Sequence, residues 1–365
     1  MSPSLRSVAQ GALRAIPLPL YRAVIRRDVL VFLYHLVGPA DLAHARHLYP
    51  YKSPEAFERD LIYLARHYRM VSYDEIESPR DRSGRPAAHI TFDDGYAECA
   101  TLARRILLKQ GVPSTFFVTT ELIDNRTMFH RNKASLCVET ARGLPEREAS
   151  AFLRDLGRLL GRPLIDREAF RRWILGLAPH EEARIDEACA ILRIDVPEYL
   201  RERRPYLSSD QIRRLVDDGF TIGAHARRHV PLGSLGEPAA EEEIVASCRT
   251  IRQLTGRDPV PFAFPHSADG VDRAFLRRVV ASHPFVGRLF DTHQLRRDNA
   301  IILNRITADA PPADPRSSNL PHLLHAAYRE EASESLRRRI ATYRKRPPPA
   351  GETSTPGEAG ESGGR

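Results

Sequence analysis

Thiols and long apolar runs are both scarce in this chain, and each scarcity excludes something. Among 365 residues there are four cysteines, Cys99, Cys137, Cys189 and Cys248, and one tryptophan. None of the cysteines forms a Cys-x-x-Cys pair, so a thiolate metal site or a thioredoxin-like motif is not supported. Thiols this sparse are no disulfide framework, and each reads as a reduced, partly buried small residue. No apolar stretch approaches the roughly 20 residues of a membrane span. No zinc-finger spacing, RNA-recognition signature or basic region with heptads occurs, which argues against a nucleic-acid reader. A secretory leader needs an unbroken apolar core. Here Arg6, Arg14, Arg22, Arg26 and Arg27 recur through the N-terminal segment, and Pro17 and Pro19 interrupt it. The expected location is therefore the cytoplasm, with peripheral contact at the inner face of the membrane left open.

What is plentiful is arginine. The formal charge is +8, which favours anionic neighbours such as phospholipid headgroups or acidic glycans without choosing among them. Hydrophobic residues make up 42%, enough for a large core. The length suits one α/β barrel with an insertion, or two domains.

Along the chain, Asp28–His35 is a nearly continuous apolar run, as expected of a strand buried on both faces. Ser53 caps a helix with Pro54 at its first position and Phe57, Leu61 and Leu64 on one stripe. Met70–Tyr73, His89–Phe92 and Thr115–Thr119 read as further strands, with a helix over Ala100–Lys109 between the last two. Strand-then-helix alternation implies a parallel sheet with helices outside. The rhythm breaks over residues 128–204, a block rich in arginine, glutamate, leucine and alanine, with helical spacing in Arg167–Leu177 and Glu181–Leu192. This block reads as a helical insertion. Alternation returns with a helix capped at Ser208, strands at Phe220–His225, Pro261–Phe264 and Val286–Phe290, and a closing strand at Ile301–Ile306. The expected organisation is a leader over 1–27, a barrel from 28–127 and 205–310, the insertion 128–204, a helical segment 311–344, and a disordered tail 345–365. The leader either forms amphipathic pieces that lie on anionic membrane or packs on the outside of the domain.

Chemistry concentrates in two places. His89-Ile90-Thr91-Phe92-Asp93-Asp94-Gly95-Tyr96 is a strand that delivers adjacent carboxylates to a glycine turn. Neighbouring side chains on a strand face opposite ways, so both aspartates can enter one site only where the strand ends and bends. That placement suits one carboxylate taking a proton while the other holds a metal. Taken alone, the octet also reads as an ordinary acidic turn. The second place is His225-Ala226-Arg227-Arg228-His229, after a strand. Imidazoles at this spacing converge on one cation if the chain curls into a helical turn. With one carboxylate they make a three-ligand face that leaves positions open for water and substrate, as catalysis requires.

The chain resembles the polysaccharide deacetylases of the NodB-homology type, carbohydrate esterase family 4. Thr91–Tyr96 is similar to that family's first motif, and His225 to His229 to its second. Phe262-Ala263-Phe264-Pro265-His266 stands where one branch carries Phe-Ala-Tyr-Pro-Tyr, and Tyr34-His35-Leu36-Val37 resembles that branch's opening strand. The resemblance implies a distorted (β/α)7 barrel with the site at the carboxyl ends of its strands. It implies Asp93 as catalytic base, and Asp94, His225 and His229 as ligands of a divalent metal, usually Zn2+, with Co2+, Ni2+ or Fe2+ as substitutes. It also implies the backbone N–H of Tyr96 as a donor to the oxyanion. The substrate implied is an N-acetylated sugar in a polysaccharide or a lipid-linked glycan, and acetate leaves an amine.

The chain departs from the family pattern in four positions. Ala263 stands where many members have an arginine that orients the base, and Arg305 near the end of the last strand is the candidate replacement. His266 replaces an aromatic and either meets substrate or packs under its turn. The family's acid is a histidine in a Leu-x-His motif. Leu323-Leu324-His325 fits superficially, but His35, at a strand end on the site's side, is at least as good an acid or substrate contact. Ala226 replaces a serine or threonine, at the cost of one outer hydrogen bond. Two alternatives stay open: an impaired glycan-binding or scaffolding protein on the same barrel, and an O-acetyl esterase or small-amide hydrolase.

Overall fold

The computed structural model describes residues 16–76, 85–161, 163–314 and 316–344. The expected tail 345–365 and the first fifteen residues of the expected leader lie outside the described residues. The strands are β1 (Val29–Tyr34), β2 (Arg69–Met70), β3 (Ala87–Phe92), β4 (Ser114–Val118), β5 (Thr221–Ala224), β6 (Val260–Ala263), β7 (Val286–Asp291), β8 (Ile302–Asn304) and β9 (Ile306–Thr307). They follow the order β8-β7-β6-β5-β4-β3-β1-β9, with β2 beside β3, and their pairings are parallel. A single residue, Arg305, separates β8 from β9. This one stretch therefore pairs on both sides, Ile302 opposite Leu289 of β7 and Ile306 opposite Phe32 of β1. The path closes on itself as a (β/α)7 barrel, with β8 and β9 together forming one stave.

Parallel neighbours need long crossovers, and helices supply most of them. Helices α1 (Leu18–Val24), α2 (Pro54–His67) and α3 (Arg104–Gln110) come first. Next come α4 (His130–Gly143), α5 (Glu146–Leu159), α6 (Arg167–Leu175), α7 (Glu182–Ile191) and α8 (Val196–Arg203), between β4 and β5. The chain continues with α9 (Ser209–Asp217), α10 (Glu237–Thr255), α11 (Arg273–Ser282) and α12 (Leu320–Arg344). Among the described residues, no helix is long and apolar enough to cross a membrane. Local signals explain several ends. Ser53 accepts from the Ala56 N–H at the start of α2, and Ser208 with Gln211 makes a capping box on α9. Gly111 closes α3 in the left-handed region at φ 62°. The expected strand at Met70–Tyr73 is shorter, Arg69–Met70, and the expected helix at Ala100–Lys109 opens with a π-turn over Cys99–Ala103.

Helices α4 to α8 enclose a core of their own, built on Cys137, Phe152, Leu156, Phe170, Ile174 and Ile185. The Cys137 and Cys189 thiols touch there at 3.3 Å. Helix α4 shows no clean apolar stripe in sequence because it is buried on more than one side: Asn132, Ser135, Cys137 and Val138 are all covered. It is wedged between this small core and the barrel.

Alternation sorts the barrel's residues. Ala88, Ile90 and Phe92 of β3 join the core beneath the helices. The opposite parity faces inward, where Val31, Ala87, Phe117, Ala263 and Phe290 fill the interior. His89, of that inward parity, is buried and lies 2.8 Å through Nδ1 from the Val71 carbonyl and 2.9 Å through Nε2 from Thr115 Oγ1. Burial lowers its pKa to about 4, so it packs as a neutral ring. Space is tight opposite Phe117. A Cβ at Gly223 would come within 2.4 Å of that ring and 2.8 Å of the Pro261 carbonyl oxygen. Gly223→Ala should lower the unfolding free energy by about 1–3 kcal/mol, the usual cost of overpacking. Denaturant titration checks this, and an unchanged midpoint would show that the interior yields.

Candidate active site

The inward parity of β3 runs His89, Thr91, Asp93, so strand geometry alone turns Asp93 toward the barrel axis at the carboxyl end of β3. Asp94 would face outward. It does not, because Asp94 (φ 69°) and Gly95 (φ 76°) both take the left-handed conformation and swing the chain round. Glycine is required at 95, since a Cβ there would also lie 2.9 Å from Val118 Cγ1.

Arg305 interrupts the closing stave and sends its side chain into the barrel. It is fully buried. Its Nη1 and Nη2 donate to Asp93 Oδ1 and Oδ2 at 2.6 and 2.8 Å, a two-pronged ion pair. Its Nη1 also reaches Thr91 Oγ1 at 3.3 Å, and its guanidinium sits 5.3 Å above the Phe117 ring. Burial pushes the Asp93 carboxyl toward a higher pKa. Arg305, then His225, outweigh that, and the pKa lies below the usual value.

His225 follows β5 directly. Its Nδ1–H donates to the Ala263 carbonyl at 2.9 Å, which turns Nε2 toward the aspartates. The expected helical turn between His225 and His229 is not what forms. The chain instead uses left-handed residues at Ala226 (φ 58°) and His229 (φ 57°) to bring the second ring back. The Asp94 Oδ1 atom lies 3.0 Å from His229 Nε2 and 3.4 Å from His225 Nε2. Asp94, His225 and His229 are all buried, and each offers a ligand atom within 4.8 Å of the others'. Burial lowers the His229 pKa against the pull of Asp94, which favours its neutral form. Asp94 Oδ1, also buried, receives no hydrogen bond. The His225 Nε2 lone pair, fixed by the bond from Nδ1–H to Ala263, faces this buried carboxylate oxygen, and the two repel unless a cation lies between them, so these residues fit a divalent metal.

Several neighbours carried no sequence signal. Tyr49, from the loop after β1, donates to Asp94 Oδ2 at 2.9 Å and stacks on His35 with ring centroids 4.3 Å apart. Asp309 accepts from the His35 backbone N–H at 2.8 Å and meets its Nδ1 at 2.6 Å. Burial opposes protonation of His35, but Asp309, Asp94 and Asp93 raise its pKa to about 9. The Phe129 ring lies 4.4 Å from that of His229, so the insertion walls one side of the site. These contacts span long stretches of chain, and no local spacing announces them.

Of the remaining candidates, Tyr96 makes an antiparallel bridge to Tyr206. The hydrogen bonds there run from Ala97 to Pro205 and from Leu207 to Gly95, which leaves the Tyr96 N–H out of the ladder. His266 is exposed, with its ring centroid 5.1 Å from that of His229. His325 is a correction to the Leu-x-His alternative. Its Nε2 lies 2.8 Å from the Ile16 carbonyl and its ring packs edge-on to Tyr21, under the N-terminal helix and outside this cluster.

A parallel barrel with a buried Asp-His-His set and an arginine-held carboxylate at one end has the make-up of a hydrolase. The sequence model described as polysaccharide deacetylase matches residues 80–283. The chain belongs to the polysaccharide deacetylase family and is a hydrolase of amide C–N bonds. No curated protein sequence matches it. Among solved structures it is similar to the Streptococcus pyogenes deacetylase PplD in complex with acetate, at 15% identity and TM-score 0.49, covering 81% of this chain and 97% of that one. IcaB from Ammonifex degensii gives 17% and 0.48, over 82% and 97% of the two chains. BC0361, a polysaccharide deacetylase from Bacillus cereus, gives 14% and 0.48, over 82% and 68%.

Removing one partner of a buried pair strands the other charge. Arg305→Ala should therefore cost about 3–5 kcal/mol of stability. Equilibrium unfolding reads this directly. A loss below about 1 kcal/mol would mean that solvent reaches Asp93 and that the pair is not structural.

Proposed function

We propose that this chain is a metal-dependent de-N-acetylase of an N-acetylated sugar in a polysaccharide or lipid-linked glycan. The observation that carries this reading is the division between the two adjacent aspartates. Asp94 lies nearest both histidines, while both oxygens of Asp93 are taken by Arg305 and His225 Nε2 stays 3.8 Å from Asp93 Oδ2. Asp94, His225 and His229 are the ligands, and their N2O donor set favours Zn2+, with Co2+, Ni2+ or Fe2+ able to substitute. The bound ion would acidify a water and polarise the acetyl carbonyl.

The chain's own residues do the rest. Asp93, kept ionised by Arg305, accepts the proton of the attacking water. Arg305 is a positioning residue, because its fork fixes both carboxylate oxygens. The Tyr96 N–H, outside the strand ladder, donates to the oxygen that gains charge. His35 returns a proton to the leaving amine. Asp309 supports this role by holding a proton on the ring, and Tyr49 by stacking on it. Acetate and a free amino sugar are the products.

Dialysis against a chelator should abolish acetate release from N-acetylated oligosaccharides, and added Zn2+ or Co2+ should restore it. Asp93→Asn should lower kcat by roughly 10²–10⁴-fold while metal content, read by atomic absorption, stays at wild-type level. Full activity after chelation, or loss of metal in that variant, would contradict these assignments. A separate test concerns the acid. Asp309→Asn removes the carboxylate that raises the His35 pKa, so the ring should lose its proton at lower pH. The alkaline limb of the kcat/KM profile should then shift toward acid, by roughly one pH unit or more. An unmoved limb would remove His35 from the proton path.

A further inference from the structure

Where the insertion meets the barrel there is an open groove of about 810 Å³. Arg126, Arg201 and Arg204 line it, over an apolar floor that includes Met128, Val196 and Leu200. Its acidic lining residues have other work. Asp124 takes the Ser209 N–H and Oγ–H, both at 2.7 Å, and Asp186 takes Lys133 at 2.9 Å. Arg126 reaches Asp124 at 3.2 Å. Among the described residues no ion pair to a carboxylate is found for Arg201 or Arg204; the Arg204 Nε–H leans on the Arg201 carbonyl at 3.4 Å. All three guanidinium groups are exposed, and those of Arg201 and Arg204 are therefore open to an anion arriving from solution.

The wall is built rather than incidental. Asn125 brackets Tyr206, donating to its carbonyl and accepting from its N–H, both at 3.0 Å. That pairing sets Arg126, the next residue, near Arg204, which precedes Pro205. Asp124, Asn125 and Arg204 all hold the left-handed conformation, at φ 64°, 57° and 45°. Such cost is tolerated where the surrounding contacts fix a particular shape. The groove is linked to the site through the neighbours of its lining residues. Tyr206 stacks on Tyr96 with centroids 6.0 Å apart, and Met128 of the floor precedes Phe129, which packs on His229.

We infer that this groove is a subsite for a negatively charged sugar residue next to the one deacetylated, so that the substrate is an acidic glycan. The apolar floor suits the flat face of a pyranose, and the guanidinium groups suit a carboxylate or phosphate oxygen on it. The inference rests on the deacetylase reading, and the test separates the two. Calorimetric binding to the Asp93→Asn protein would compare a neutral N-acetylglucosamine tetramer with tetramers in which glucuronate or a phosphodiester-bearing sugar alternates. An acidic tetramer should bind roughly tenfold tighter at low salt, and the preference should vanish near 0.5 M salt through screening. Arg201→Glu/Arg204→Glu should remove the preference and leave the neutral ligand's affinity unchanged. The carboxylate and phosphodiester arms tell which anion is read, and tighter binding of either supports the groove. Equal binding of neutral and acidic tetramers, or a preference that survives the double substitution, would overturn it. Selective binding with no acetate released by the wild-type, metal-loaded protein would instead overturn the deacetylase reading and leave the groove intact.

Discussion

The ion pair between Arg305 and Asp93 is the interaction on which the rest of this structure turns. Arg305 is the residue at which the closing stave breaks, pairing with β7 before it and with β1 after it. The guanidinium therefore enters the interior at the seam of the barrel and meets a carboxylate delivered by β3, one stave further round beyond β1. Neither charge is stable there alone, because a bare ion in this interior would forfeit its hydration. Barrel closure and the state of Asp93 are thus one constraint. A barrel that opened at the seam would also release the carboxylate from its only two-pronged partner among the described residues.

Strand parity explains much of what the sequence made legible. His89, Thr91 and Asp93 share one face of β3, and the period of two that defines a strand also says which aspartate lies inside. The histidine pair was legible as a spacing, but not in its geometry. A helical turn is the simplest way to bring residues four apart together. The chain reaches the same convergence through left-handed backbone at Ala226 and His229, which no side-chain pattern announces. Arg305 was legible only as a charge at the end of an apolar run, near the place where the family's own arginine is missing.

Tyr49, Asp309 and Phe129 were invisible for a different reason. Tyr49 and Asp309 sit on connections between elements, Phe129 at the mouth of the insertion, and each meets the site through contacts between segments distant in sequence. Helix α4 hid its role by being buried on two sides. Its Asn132 accepts from Tyr206 Oη at 2.7 Å and donates to Tyr96 Oη at 2.9 Å, and so ties the insertion to the turn that carries Asp94. The chain's composition marked the insertion as helical. It could not mark it as a wall of the site.

The position of Arg305 in chain order has a consequence for how the protein comes into being. β1 and β3 are made early, so the paired aspartates leave the ribosome long before their partners. The histidines follow after the insertion, and Arg305 and Asp309 come last of all. During synthesis, then, a nascent chain holds buried-type carboxylates with no guanidinium to meet them, and its first and last staves cannot join. The ion pair at Asp93 cannot form until Arg305 has been made. A ribosome stalled ahead of residue 305 would display a chain with Asp94, His225 and His229 already made and its barrel still open.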